Sequence, residues 1–191
     1  MQVRYLREER ITYDGSQLRS LWAFTNCDIQ GESIIAFRGP CDVPTESLVD
    51  EADRKRGAEI RSEDMVHFIA EFFHPDLERA VILQRLLVCV IREVIEERST
   101  TAFLSRSGDD LFAMSEEGFN KKMTVSIATA SPVSCLIHVG INVTAREAPV
   151  PAMGILDLGL DVDEFVERVL EIFAADVEGI RLARCKVRGV L

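Results

Sequence analysis

Lysine is scarce in this chain, its cysteines are unpaired by spacing, and it has no uninterrupted apolar run of membrane-spanning length. There are four lysines (Lys55, Lys121, Lys122 and Lys186), and 32 Asp+Glu against 22 Lys+Arg give a formal net charge of −10. Duplex binding depends on clustered Lys and Arg, so no nucleic-acid partner is expected. The longest apolar stretch, Val81–Ile95, is broken by Gln84, Arg85, Arg92 and Glu93. It falls short of the roughly 20 residues that a spanning helix needs, so no membrane partner is expected either. The opening M-Q-V-R-Y-L-R-E-E-R has no signal-peptide-like apolar segment. Five cysteines at 27, 41, 89, 135 and 185 include no C-x-x-C pair. They read as reduced thiols, mostly buried, and the expected location is cytoplasmic. His67 and His74 have no partner at metal-ligand spacing, so no zinc site is expected. Repeats, low-complexity tracts and Pro/Ser-rich linkers are lacking, which predicts one domain over residues 1–191.

What is present suits a globular core. Hydrophobic residues make up 47% of the chain and charged ones 28%, too apolar for a disordered segment. Periodicity predicts a short strand at Gln2–Arg7, a helix over Ser16–Phe24 and a buried strand at Ser33–Phe37. Residues 39–61 are polar, charged and punctuated by Pro and Gly, and read as a long loop. Met65–Phe73 is ambiguous between helix and strand. Asp76–Glu97 follows Pro75 as a long core helix with acids at its positive end. Lys122–Thr129 and Val133–Val143 are β-branched strands joined at Ala130-Ser131-Pro132. Asp161–Phe173 is an amphipathic helix, with Asp161 and Glu164 at capping-box spacing. Strands early and late around one long helix predict an α+β fold, with a mainly antiparallel sheet covered by helices on one face.

Residues 106–154 carry the strongest signal. They run R-S-G-D-D-L-F through K-K-M-T-V-S-I to H-V-G-I-N-V and A-P-V-P-A-M-G. This segment resembles the biotin/lipoate protein ligase superfamily, which shares its fold with class II aminoacyl-tRNA synthetases. Asp109-Asp110-Leu111-Phe112 stands where biotin ligases carry N-D-L-Y, and Lys122 where they carry the lysine of K-x-x-G-I-L. His138–Val143 stands where they carry G-x-G-I-N-V. The whole chain is also similar to an uncharacterised, largely archaeal and thermophile family known only as a domain of unknown function. The resemblance implies a ligase-like fold and a site for a small carboxylic acid or its adenylate. It also implies ATP with Mg as co-substrate, and leaves room for a homodimer.

Activating a carboxylate with ATP develops negative charge on the carboxylate and the α-phosphate, so a cation between them stabilises the step. By resemblance that cation is Lys122. Asp109 and Asp110 would face a ribose or a metal near the phosphates, and their plain reading is an ordinary Gly-Asp-Asp turn. Asn142 and His138 are ligand-contact candidates, or else a structural amide and a core histidine. Arg54 joins them from the positive cluster Arg54-Lys55-Arg56 of the long loop. Three features depart from the family pattern. The glycine/arginine-rich loop is replaced by Gly39–Gly57, Val125 stands where a glycine follows the family lysine, and Met153 precedes Gly154 where octanoyl transferases carry a nucleophilic cysteine. A thioether cannot form an acyl-thioester. Three functions stay open: an acid-activating ligase or acyltransferase, a non-catalytic small-molecule-binding module, and a protein-interaction module.

Overall fold

The computed structural model describes residues 1–99, 103–114, 120–146 and 148–190. Strand β1 (Gln2–Arg10) leads through a turn to α1 (Trp22–Cys27) and β2 (Ser33–Val43). Helix α2 (Glu51–Arg56) precedes β3 (Ile60–Phe72), and α3 (Leu77–Arg98) follows it. A small antiparallel sheet comprises β4 (Leu104–Ser107), β5 (Asp110–Met114) and β6 (Asn120–Lys122). The hairpin β7 (Thr124–Ala130) and β8 (Cys135–Thr144) and the long α4 (Val162–Ala183) complete the chain. The main sheet has the order β1-β2-β3-β8-β7. Only its β1–β2 pair is parallel; the other three are antiparallel. The α+β class with a mainly antiparallel sheet is as expected.

Alternation along the strands sorts the side chains onto two faces. Ile34, Ala36, Val66, Phe68, Ala70, Ile137, Val139 and Ile141 turn to one face, where they pack with Leu87 and Ile91 of α3 and Phe165, Val169 and Phe173 of α4. Both helices are capped by aspartates: Asp76 accepts from the Arg79 N–H at 3.0 Å and Asp161 from the Glu164 N–H at 2.9 Å. The Glu164 side chain completes no capping box; it reaches Arg98 at 2.5 Å and ties α4 to α3. Helix α4 also runs to Ala183, well past the expected end at Phe173.

The opposite face carries Ile35, Phe37, Met65, His67, Ile69, His138, Gly140 and Asn142. Segment 11–13 crosses it, held by Ile11 N–H to Arg38 O at 3.0 Å and Tyr13 N–H to Pro40 O at 2.9 Å. Only a glycine permits this crossing, because a Cβ on Gly39 would lie 2.0 Å from the Ile11 carbonyl oxygen. Buried Trp22 and Cys27 cover the rest of this end.

Four local expectations change. The helix expected over Ser16–Phe24 is a turn followed by α1, entered through Leu21 in the left-handed region at φ 64°. Residues 39–61 are not one loop: β2 runs on to Val43, Thr45–Ser47 form a 3-10 turn, α2 takes 51–56, and β3 begins at Ile60. The ambiguous Met65–Phe73 belongs to a thirteen-residue central strand, whose continuous apolar run comes from burial on both faces rather than helical periodicity. Lys122 does not open the β7 strand; it ends β6 in the small sheet.

Candidate functional site

The face opposite the helices opens into a cleft of two lobes. The first, about 320 Å³, is lined by Tyr13, Val43, Leu48, Asp50, Asp53, Arg56, Ile60, Asp109, Asp110, Lys122, Val125, Ile127 and His138 among others. The second, about 210 Å³, is lined by Cys41, Ser62, Met65, Thr124, Asn142 and the segment 148–152, again with Asp53, Ile60, Lys122 and Val125. Those four shared residues mark the waist between the lobes.

Lys122 owes its place to three strands of chain converging on one residue. It pairs with Phe112 in the small sheet. Its N–H donates to Pro151 O at 2.9 Å, and its own carbonyl accepts from the Met153 N–H at 3.1 Å and from Asn142 Nδ2 at 3.3 Å. Gly154 lets the 151–154 segment lie so near β8, since a Cβ there would meet the Val143 carbonyl oxygen at 2.2 Å. The Lys122 ammonium reaches Asp110 at 2.9 Å with about a third of each side chain exposed. The side chain lines both lobes.

The neighbouring candidates divide. Asp109 is held by Gln84 Nε2 at 2.8 Å and the Ser126 hydroxyl at 2.8 Å, so its carboxylate fastens β5 to α3 and β7. Asp110 faces Lys122 in the cleft. Asn142 accepts from the Ser62 hydroxyl at 2.9 Å while its amide nitrogen positions the Lys122 backbone. Arg54 does not join the cleft lining; it is half exposed and pairs with Glu51 at 3.3 Å on its own helix. Arg56, two residues on, lines the first lobe beside Asp53, 2.6 Å away. Residues 115–119, between the Asp109–Phe112 motif and Lys122, lie outside the described residues.

His138 comes with a partner that the sequence did not announce. His67 Nδ1 lies 3.1 Å from His138 Nε2, and His67 Nε2 lies 3.2 Å from Gly39 O. The Tyr13 ring stacks on His138 with centroids 3.7 Å apart and planes 12° apart. Burial pushes His67 down to about 4 and His138 well below the ordinary imidazole range, His67 adding to the latter's depression. Both rings are neutral at pH 7. Burial also pushes the Cys41 thiol up to about 12, the charge of Asp42 adding to it, so it is no thiolate nucleophile. Alternation puts His67 among the apolar residues of β3; only the β3–β8 register, which sets His67 opposite Gly140 and Ile69 opposite His138, makes the two rings diagonal neighbours.

The Val125 side chain lies against Gly140. A Cβ on that glycine would stand 3.2 Å from Val125 Cγ2 and 3.0 Å from Met65 Cε, so the bare backbone of β8 accommodates the branched side chain. Val125 therefore narrows the waist of the cleft without closing either lobe.

A five-stranded, mainly antiparallel sheet with two long helices on one face and a cleft on the other is the fold of the biotin protein ligases. The structure of the Aquifex aeolicus biotin protein ligase in complex with biotin and ATP superimposes with a TM-score of 0.61 at 15% identity, over 93% of this chain and 70% of the ligase. The chain itself belongs to the family described as "Domain of unknown function (DUF366)", whose model matches residues 1–188. Uncharacterized protein MJ0805 of Methanocaldococcus jannaschii is 39% identical over 180 residues, 91% of this chain and 78% of that protein. A protein of unknown function from Pyrococcus horikoshi matches at a TM-score of 0.91 and 41% identity, covering 100% of this chain and 99% of its own. The expected ligase-like fold and the uncharacterised archaeal family are thus both found. Among the described helices, none is long and apolar enough to cross a membrane.

Proposed function

We propose that this protein binds a small carboxylic acid in the two-lobed cleft, with Lys122 against its carboxylate, and activates it with ATP. The observation that carries the reading is the position of the Lys122 side chain, paired with Asp110 at the waist shared by both lobes. The acid lies in the first lobe, and the nucleotide lays its base against the largely apolar 148–152 wall of the second with its phosphates at the shared waist, where Lys122 and the first-lobe carboxylates meet them. In the step, a carboxylate oxygen attacks the α-phosphorus, the new O–P bond forms, and pyrophosphate leaves. Lys122 offsets the charge that gathers between the two anions, a contribution that grows as water is excluded.

The donor set suits a Mg-bound triphosphate. Asp50, Asp53, Asp109 and Asp110 against Lys122 and Arg56 leave the first lobe acidic, which would repel bare phosphates. Carboxylate oxygens are the ligands a hard divalent cation takes, and such a cation would neutralise phosphate charge. Asp110, a third exposed, would hold it by giving up its ion pair with Lys122, which then turns to the substrate anions; Asp109 is fixed by Gln84 and Ser126.

Purified protein incubated with ATP, Mg and each of biotin, lipoate and octanoate tests the reading. Pyrophosphate release with one of them, lost in Lys122→Ala, is the expected result. Binding of an acid without any turnover favours a second reading, a non-catalytic binding module. That reading draws on Arg54, which pairs with Glu51 away from the cleft, and on Arg56, which pairs with Asp53. No arginine of α2 is left free to grip an adenylate.

A further inference from the structure

The strongest feature that the proposed activation step does not use is the buried stack of Tyr13, His138 and His67. Its hydrogen bonds fix the proton positions. The Gly39 carbonyl can only accept, so His67 Nε2 carries the hydrogen and donates to it at 3.2 Å. With His67 neutral, its Nδ1 is then a bare lone pair, and the contact at 3.1 Å requires His138 Nε2–H to donate. The remaining His138 nitrogen, Nδ1, is left as an acceptor. It makes no hydrogen bond among the described residues, and it is not one of the side-chain atoms sealed away without a partner. His138 lines the first lobe. Tyr13 stacked at 3.7 Å and the apolar Val125 and Ile127 on β7 leave the ring little freedom to turn away.

We propose that His138 Nδ1 is the acceptor that reads the far end of the ligand, so the acid this cleft selects carries a neutral O–H or N–H group distal to its carboxylate. This deepens the acid-binding reading and rests on it. Asn142 positions the Lys122 backbone, and His138 lies on the same face of β8 four residues before it. Lys122 and His138 both line the first lobe, so an acid held there at its carboxylate by the ammonium extends its chain along the same lobe as the imidazole. Acids ending in a methyl group or a dithiolane leave the lone pair unanswered. Acids ending in a hydroxyl, amide or urea answer it. His67 acts as the positioning residue, since without its Nδ1 acceptor the His138 proton is free to sit on either nitrogen.

The test is calorimetric titration of the intact protein, without ATP, using ω-hydroxyoctanoate and octanoate. The two differ only in the distal donor. Wild type is expected to prefer the hydroxy acid by about 10-fold, the effect of one well-made hydrogen bond. His138→Phe, which keeps the ring but not the acceptor, should bring the two affinities together, and melting temperatures of the variants check that each is folded. His67→Phe reports positioning through imidazole nitrogen spectra: His138 should show a non-protonated Nδ1 in wild type, shifted by the hydroxy acid and not by octanoate, and mixed tautomers in the variant. Equal wild-type affinity for the two acids overturns the His138 assignment and leaves acid binding standing. Binding of neither acid overturns both.

Discussion

Lys122 and Asp110 face each other at 2.9 Å where the small sheet meets the main one. The pair connects two adjacent features of the sequence, the Gly-Asp-Asp turn and the Lys-Lys dipeptide, through the β5–β6 pairing. Exposed ion pairs contribute about 0–1 kcal/mol, so the pair is of little use as a staple. Its position at the waist of the cleft is what gives it meaning.

Lys122→Ala should therefore leave stability within about 1 kcal/mol of wild type and weaken acid binding by roughly 10- to 150-fold, the effect of losing a charge-assisted contact of about 1.5–3 kcal/mol. Lys121→Ala is the control, since Lys121 lines neither lobe. Titration of both variants with an adenylate analogue, beside their melting temperatures, separates the effects. Equal affinity in wild type and Lys122→Ala would remove the central group of the proposed reaction.

The two neighbouring arginines of α2 should behave differently. Arg54→Ala is expected to leave ligand affinity unchanged, because Arg54 pairs with Glu51 on its own helix and lines neither lobe. Arg56→Ala leaves Asp53 without its counter-charge in the first lobe and should weaken binding of anionic ligands several-fold while sparing the melting temperature, as Arg56 is largely exposed. Matching losses in both variants would mean that α2 acts as a diffuse positive surface.

Gly39→Ala should destabilise the fold by ~3 kcal/mol, in the range of overpacked sites. The added Cβ would strike the Ile11 carbonyl, and backbone cannot rotate away as a flexible side chain can. The displaced 11–13 segment carries Tyr13, so acid selectivity should fall with stability. Urea unfolding measures the first and paired-acid titration the second. Wild-type stability in this variant would show that the crossing is loose.

Stability should fall on acidification through the two buried histidines. Their folded-state affinity for protons is depressed, so between the ordinary value of 6.5 and about 4 the unfolded chain binds more protons than the folded one. The contribution is fully present above 6.5 and is lost as pH falls; for His67 it amounts to ~3 kcal/mol. Urea midpoints measured between pH 7 and pH 4 should drop more steeply for wild type than for the His67→Gln/His138→Gln double variant. Parallel curves would show that the imidazoles are hydrated.

The sequence determined the elements whose periodicity is written in one stretch of chain. Helices α3 and α4, their aspartate caps and the β7–β8 hairpin depend on neighbours a few residues apart, and hydrophobic spacing with capping chemistry is enough to find them. The ligase-like order of the Gly-Asp-Asp turn, the lysine and the Asn-Val strand end was legible for the same reason. Tertiary structure decided the rest. Strand β3 is buried on both faces and so lacks the alternation that marks a strand. Lys122 reads as the start of β7 by alternation yet ends β6, because its partners, Phe112 and Pro151, arrive from elsewhere in the chain. Arg54 and Arg56 differ only in which way a short helix turns them. The His67–His138 contact joins residues 71 positions apart through a register that no local pattern encodes. Local propensity specifies which elements form, whereas the juxtaposition of side chains in a cleft depends on sheet order and register, which are settled only when the whole core packs.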